Sequence, residues 1–275
     1  MAEIHPTAIV AEGARLGEGV RVGPWCTVGP AVVLGNGVEL VSHVVVDGET
    51  TLGEGAVLMP FASVGLPPQD LKYKGEPTRV EVGARTILRE HSTVHRGSVG
   101  GHGVTRIGDD CLIMACAHVG HDCDLSHHVI LANNVMLGGH VEIGDTTFVG
   151  GGAAVHQFVR IGRQVVIGGM SGVEADVIPY GACLGDRARL TGLNLIGLKR
   201  RGFSRDRINA LRAAVRTLFA RDGVFADRLA RTRDNWGEDP AVAEILGFVD
   251  ARSRRGLMRS RVHGLREDDA AGEAA

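Results

Sequence analysis

Aliphatic residues recur every six positions along most of this chain: Ile4, Val10, Leu16, Val22, Val28, Leu34, Leu40, Val46, Leu52, Leu58 and Val64 form an unbroken series. The series pauses over Asp70 and Glu76 and returns in phase at Val82, Leu88 and Val94. It then resumes one residue out of phase from Ile107 to Val173, for twenty-six hexads in all. The fourth residue after each aliphatic is usually small or β-branched, as at Ala8, Ala14, Val20, Cys26 and Val32, and glycine often follows the aliphatic directly, as at Gly17, Gly23, Gly29 and Gly35. An α-helix cannot keep a strict period of six on one face, because 3.6 does not divide it. A short strand followed by a tight turn can, with the aliphatic and the small residue pointing inward and glycine or asparagine supplying the unusual backbone angles of the turn. Stacked units of this kind make an all-β solenoid, a parallel β-helix around one aliphatic column. Three hexads per coil predict about nine coils at ~4.8 Å each, a prism roughly 40 Å tall.

The hexads fade near Pro179 and the pattern changes by Thr191. Residues 1–190 are therefore expected to form the prism, and 191–263 a helical cap of two to four helices. A flexible tail is expected over 264–275. Ser204 is placed to cap a helix carrying Ile208, Leu211, Val215, Leu218 and Phe219. Asp239 followed by Pro240 marks another, with Val242, Ile245, Leu246 and Val249 on its apolar face. Between Lys199 and Arg233 stand eleven basic residues against Asp206, Asp222 and Asp227. They suit either a solvated helix surface or a docking face for an acidic partner. A formal net charge of −2 and the lack of interleaved aromatics speak against nucleic acid. No stretch reaches the ~20 apolar residues of a membrane span, and no signal-like segment opens the chain. Of five cysteines, Cys26, Cys111 and Cys123 fall at small inward positions and read as reduced packing thiols, pointing to the cytoplasm.

Two interruptions carry more chemistry than the rungs. The first, at residues 65–81, holds Asp70, Lys72, Tyr73 and Lys74; the second, at residues 97–106, is glycine-rich. Ordered excursions from a rigid scaffold are commonly functional. Beside them His95, His118, His121, His127, His128, His140 and His156 cluster, none at an inward aliphatic position. His121 and His140 are one coil plus one residue apart, so they should share a corner on adjacent coils, with His118 facing the same groove. His127 and His128 read as ordinary surface residues. A cleft lined by imidazoles, a lysine and a carboxylate suits proton transfer near neutral pH. Asp122 could orient His121, and main-chain N–H groups at Gly138–Gly139 could stabilise an oxyanion.

The strings SHVVV (Ser42–Val46), QDLKYKGEPTRVEVG (Gln69–Gly83), HRG (His95–Gly97), HVGHDC (His118–Cys123), LANN (Leu131–Asn134), AVHQF (Ala154–Phe158) and GLKRRGFSR (Gly197–Arg205) carry a resemblance over almost the whole chain. The chain resembles the acyl-carrier-protein-dependent UDP-N-acetylglucosamine O-acyltransferases, which open the lipid A pathway. The resemblance implies a left-handed parallel β-helix, an exception to the right-handed crossover rule, assembled as a homotrimer with active sites between subunits. It also implies a 3-hydroxyacyl group passing from acyl-carrier-protein thioester to the 3-hydroxyl of the UDP-sugar, with no cofactor and no metal. By motif position, His121 matches the general base, Asp122 its partner and Gly139 the oxyanion donor. Asp70, Lys72, His95, His118, His140, His156 and Gln157 match substrate contacts, Asn194 and Arg200 residues near the nucleotide, and Gly169 the limit on acyl-chain length. One departure stands out: Ile196 holds a position where the family pattern carries a glutamate, which leaves a 3-amino sugar nucleotide as an alternative acceptor.

Other classes fit less well. A γ-type carbonic anhydrase needs two histidines five residues apart, whereas Cys123, Ser126 and Asp145 stand five beyond His118, His121 and His140. The later N-acyltransferase of the same pathway and the hexad-bearing nucleotidyltransferases carry a further N-terminal domain, and here the hexads begin at Ile4. A non-catalytic structural or binding solenoid would leave the histidines and loop motifs unexplained.

Overall fold

The computed structural model describes residues 1–260; the tail expected over 264–275 lies outside the described residues. Most strands are two residues long, and each pairs in parallel with the strand one coil on. Glu3–Ile4 lies against Arg21–Val22, Ile9–Val10 against Thr27–Val28, and Arg15–Leu16 against Val33–Leu34. Three sheets result, of eleven, nine and eight strands among the described residues, and they form the three faces of a prism. The hexad aliphatics fill it: Leu34, Leu40, Leu52, Leu58, Leu88, Ile113, Leu125, Leu131 and Leu137 are fully buried. Burial of each such side chain is worth about 1.5–3 kcal/mol. Cys26, Cys111 and Cys123 are buried free thiols among them. The column is weakest where it begins, since Ile4 is 49% exposed, having no coil beneath it.

The corners divide their work differently from the sequence expectation. The left-handed backbone falls three residues after the inward aliphatic, and most of its occupants are not glycine: Trp25, Asp122, Asn134 and His140 all have φ near 60°. The glycine directly after the aliphatic serves close approach instead. A Cβ on Gly35 would stand 2.9 Å from the main-chain nitrogen of Glu54 on the next coil.

The excursions explain the phase slip. Leu112 pairs with Ile130, eighteen positions on, as do most strands, but Val57 pairs with Ile87 and Ile87 with Leu112. The first insertion thus adds twelve residues, two whole hexads, and preserves the phase; the second adds seven and shifts it by one. Both leave from the same corner: one lies between the strands Ser63–Leu66 and Arg79–Val82, the other between Thr93–His95 and Val104–Ile107. On the following coils that corner carries His121–Asp122 and then Gly139–His140.

Beyond the prism, Gly181–Leu184 and Arg189–Leu193 form an antiparallel hairpin. Among the described residues four helices follow: α1 (Leu195–Arg200), α2 (Arg205–Leu218), α3 (Phe225–Trp236) and α4 (Pro240–Asp250). Ser204 Oγ accepts from Arg207 N–H at 3.2 Å to cap α2, and Asp239 Oδ1 accepts from Ala241 N–H at 2.7 Å to cap α4. The cap is tied down by Arg160, which donates to Asp176 at 2.8 Å and lies over the Phe248 ring. The segment 251–260 then returns along the last coils, with Asp176 N–H donating to Gly256 O and Met258 N–H to Asp176 O. Among the described residues no helix is long and apolar enough to cross a membrane.

Candidate active site

His121 and Asp122 sit on one corner because the left-handed turn at Asp122, φ 59°, brings its side chain round beside its neighbour. His121 Nδ1 lies 2.8 Å from Asp122 Oδ2. The Asp122 carboxylate has no exposed surface, and the second excursion wraps it. Ser98 donates both its N–H, at 2.9 Å, and its hydroxyl, at 2.7 Å, to Oδ2, while Gly103 N–H donates to Oδ1 at 3.0 Å. Thr105 fixes the main chain by accepting from Asp122 N–H at 2.8 Å. Burial alone would raise this carboxyl, but the bonds from His121 and Ser98 outweigh it and hold the group below the ordinary carboxylate value, so it stays charged.

The other imidazoles gather round this pair. His140 stands edge-on to His121 with ring centroids 5.0 Å apart, and Phe158 stacks on it at 4.4 Å. His118, held by Thr93 Oγ1 at 2.7 Å, meets His95 edge-on at 4.9 Å. Burial lowers the pKa of all three. His95 is pushed down to about 4, with His118 and His121 adding to the effect. His118 is lowered by burial and by His121, and His140 by burial against the opposing pull of Asp122.

Two cavities meet at His121. One, of about 610 Å³, is roofed by the first excursion and lined by Asp70, Lys72, His140 and Gln157; the other, of about 350 Å³, is lined by His95, His118, Met136, Gly139 and Val155. Within the excursion, Lys72 N–H donates to Asp70 Oδ1 at 3.0 Å. Gly139 lies under the His121 ring: a Cβ there would come 2.6 Å from Nε2. At equivalent corners the second N–H is taken by a side chain of the next coil, as Glu18 is by Asn36 and Ala84 by Asp109. The Gly139 N–H has no such partner among the described residues.

The remaining candidates lie elsewhere. His156 lines neither cavity; its ring meets Arg255, which also donates to Gln157 O at 2.8 Å. Asn194 serves as the N-cap of α1, accepting from Gly197 N–H at 2.9 Å and donating to Gln164 O at 2.9 Å. Arg200 ends α1 in solvent, and Ile196 on the same helix is 66% exposed. Gly169 occupies a corner without a left-handed φ, where a Cβ would stand 3.2 Å from Gly151 O. His127 accepts from Asp109 N–H on a different corner.

Several contributors were missed from sequence: Ser98, Gly103 and Thr105 around the carboxylate, Phe158 behind His140, and Arg255. The only signal for the first three was the glycine-rich break itself. His121, Asp122 and His140 offer ligand atoms within 4.8 Å of one another, a spacing a metal could use. Asp122 Oδ2 already accepts twice from Ser98 and meets His121 Nδ1, so an ion at that oxygen would compete with those bonds.

Relatives share this arrangement of chain. Residues 176–258 match the family described as UDP N-acetylglucosamine O-acyltransferase, domain 2, and residues 13–48 match the bacterial transferase hexapeptide repeat. The acyl-[acyl-carrier-protein]–UDP-N-acetylglucosamine O-acyltransferase of Caulobacter vibrioides is 53% identical over 92% of this chain and 97% of its own length. That of Agrobacterium fabrum is 46% identical over 93% and 95%. The structure of LpxA from Acinetobacter baumannii superposes with a TM-score of 0.89 at 39% identity, covering 93% of this chain and 99% of that one. The prism is thus the left-handed parallel β-helix of hexapeptide repeats, closed by helices. Likeness at this level covers more than nine-tenths of the chain, and the chain belongs to the acyl-[acyl-carrier-protein]–UDP-N-acetylglucosamine O-acyltransferase family.

Proposed function

We propose that this protein transfers a 3-hydroxyacyl group from acyl-carrier-protein thioester to the 3-hydroxyl of UDP-N-acetylglucosamine, the opening step of lipid A biosynthesis, with His121 as general base. The observation that carries the mechanism is the His121–Asp122 bond at 2.8 Å. It occupies Nδ1 and leaves Nε2 as the basic nitrogen where the two cavities meet. Nε2 takes the sugar hydroxyl proton as that oxygen attacks the thioester carbonyl. Asp122 stabilises the imidazolium that forms, and Gly139 N–H donates to the tetrahedral oxyanion. Collapse expels the carrier arm as a thiolate, which takes up the sugar's proton from the His121 imidazolium. No covalent enzyme intermediate is needed.

In this reading Asp70, Lys72, His95, His118, His140 and Gln157 contact substrate around the cavities, and Gly169 limits the acyl chain. His156, Asn194 and Arg200 would act on the nucleotide across a subunit boundary. A homotrimer is supported by apolar side chains left bare on the prism: Met136 is 52% exposed and Met170 77% exposed.

The test is thioester consumption with acyl-carrier-protein substrate and either the 3-hydroxy or the 3-amino UDP-sugar. Wild type should turn over the 3-hydroxy sugar, and His121→Ala should lose about 10²–10⁴-fold in turnover while staying folded. No turnover with either sugar would sink the reading, and near wild-type activity in the variant would remove His121 from it.

A further inference from the structure

A third cavity, of about 320 Å³, shares Gly100, His140 and Phe158 with the larger cavity at His121. Its wall is completed by the returning segment after α4, through Arg252 and Arg254, and by His102 from the second excursion. We propose that this cavity is an anion subsite for a substrate phosphate, formed by Arg252 and Arg254 together with His102 and His140.

Charge makes the case. Three arginines line the cavity against a single carboxylate, Glu142, with the rings of His102 and His140 as further hydrogen-bonding groups. Arg160 is already matched by Asp176 at 2.8 Å, with both side chains largely buried. Arg252 and Arg254 make no ion pair among the described residues. Two guanidinium groups therefore face one carboxylate, in a concave site continuous with the proposed reaction centre.

Geometry sharpens it. The Arg254 guanidinium lies over Phe158, 4.5 Å from the ring centroid, and Phe158 in turn stacks on His140. A guanidinium held by its face on a ring keeps its N–H edge for an oxyanion, the fork that suits phosphate. The ring of His102 also lines the cavity, edge-on to His140 at 6.3 Å. Main chain from the second excursion, at Gly100 and Gly101, completes the wall. A Cβ on Gly101 would collide with the Asp122 carboxylate, so this loop is pressed against the same group that orients His121.

This inference rests on the acyltransfer reading, in which both substrates carry a phosphate. The nucleotide sugar has a diphosphate, and the carrier holds its acyl arm through a phosphodiester. The experiment uses the full-length protein as wild type, Arg252→Gln, Arg254→Gln and the double variant. Arg259→Gln, on the same segment but outside the cavity, is the control. UDP-sugar affinity is measured by calorimetry, KM for the acyl-carrier thioester by steady-state assay, and direct anion binding by titrating inorganic pyrophosphate against the histidine NMR signals. The double variant should weaken pyrophosphate binding and one phosphate-bearing substrate by about tenfold or more, the scale of a charged hydrogen bond, while the control stays at wild type. A raised KM for the carrier with unchanged UDP-sugar affinity assigns the subsite to the phosphodiester; the reverse assigns it to the diphosphate. If both substrates and pyrophosphate bind the folded double variant as they bind wild type, the subsite does not exist. A wild type that binds pyrophosphate through these arginines but shows no turnover would overturn the acyltransfer reading and leave the subsite standing.

Discussion

Asp122 Oδ1 accepts the main-chain N–H of Gly103 at 3.0 Å, so the carboxylate that orients His121 is also the post around which the second excursion closes. Asp122→Asn puts an amide where four donors converge, counting His121 Nδ1–H, and at least one of Ser98 N–H, Ser98 Oγ–H and Gly103 N–H loses its acceptor. The variant should lose about 1–3 kcal/mol of stability and turnover by roughly 10²-fold or more. Urea unfolding and the thioester assay measure the two. A stable but inactive protein would show that the carboxylate serves chemistry alone.

Lys72 stands exposed on the first excursion, on the wall of the large cavity, with no ion pair among the described residues. Lys72→Ala should raise the dissociation constant for UDP-sugar by about tenfold, as expected for one lost charge-assisted contact, with a smaller change in turnover at saturation. Calorimetry that finds equal affinity in both proteins would remove Lys72 from the substrate contacts.

At Gly169 the backbone is not left-handed, so a side chain meets Gly151 O at 3.2 Å rather than a forbidden φ. Gly169→Met should therefore fold with a modest fall in melting temperature. If the position limits the acyl chain, preference shifts by about tenfold or more towards shorter chains, since a methylene in an apolar pocket is worth ~1–3 kcal/mol. Equal losses on every chain length would end that role.

His95 is 7% exposed and held neutral down to about pH 4. In the unfolded chain it titrates near 6.5. Between those values the unfolded state binds the extra proton, so stability is full above pH 6.5 and falls as the pH drops towards 4, by at most about 3 kcal/mol for this residue. His118, lowered in the same direction, adds to the slope. Urea midpoints at pH 7.5 and 5.0 measure it, and His95→Asn should flatten the dependence. An unchanged slope in that variant would place the effect elsewhere.

The prism was readable because its core repeats: each inward position is tested by the coils above and below, so Leu34 or Ile113 cannot vary far. Even the phase slip encoded the twelve- and seven-residue insertions. The left-handed positions were not readable, because their occupants face outward and the coil stacking imposes the angle on Trp25, Asp122 or His140 alike. For the same reason His121, Asp122 and His140 could be found by spacing and motif, while Ser98 and Gly103 could not. They lie on a break that has no period, and only the closed loop shows what they hold. Arg254 and Arg255 are about one hundred positions from Phe158 and His156, a contact no local pattern announces.

The 5.0 Å between the rings of His121 and His140 is close to the pitch at which hydrogen-bonded strands stack, about 4.8 Å. The groups round the proposed reaction centre are therefore mounted on a lattice whose step is set by the hydrogen bond between peptide groups. Substitution can change which ring or carboxylate occupies a rung, and insertion can change what hangs over it, but neither can stretch the rung spacing. An enzyme built this way alters its specificity by swapping occupants at fixed addresses.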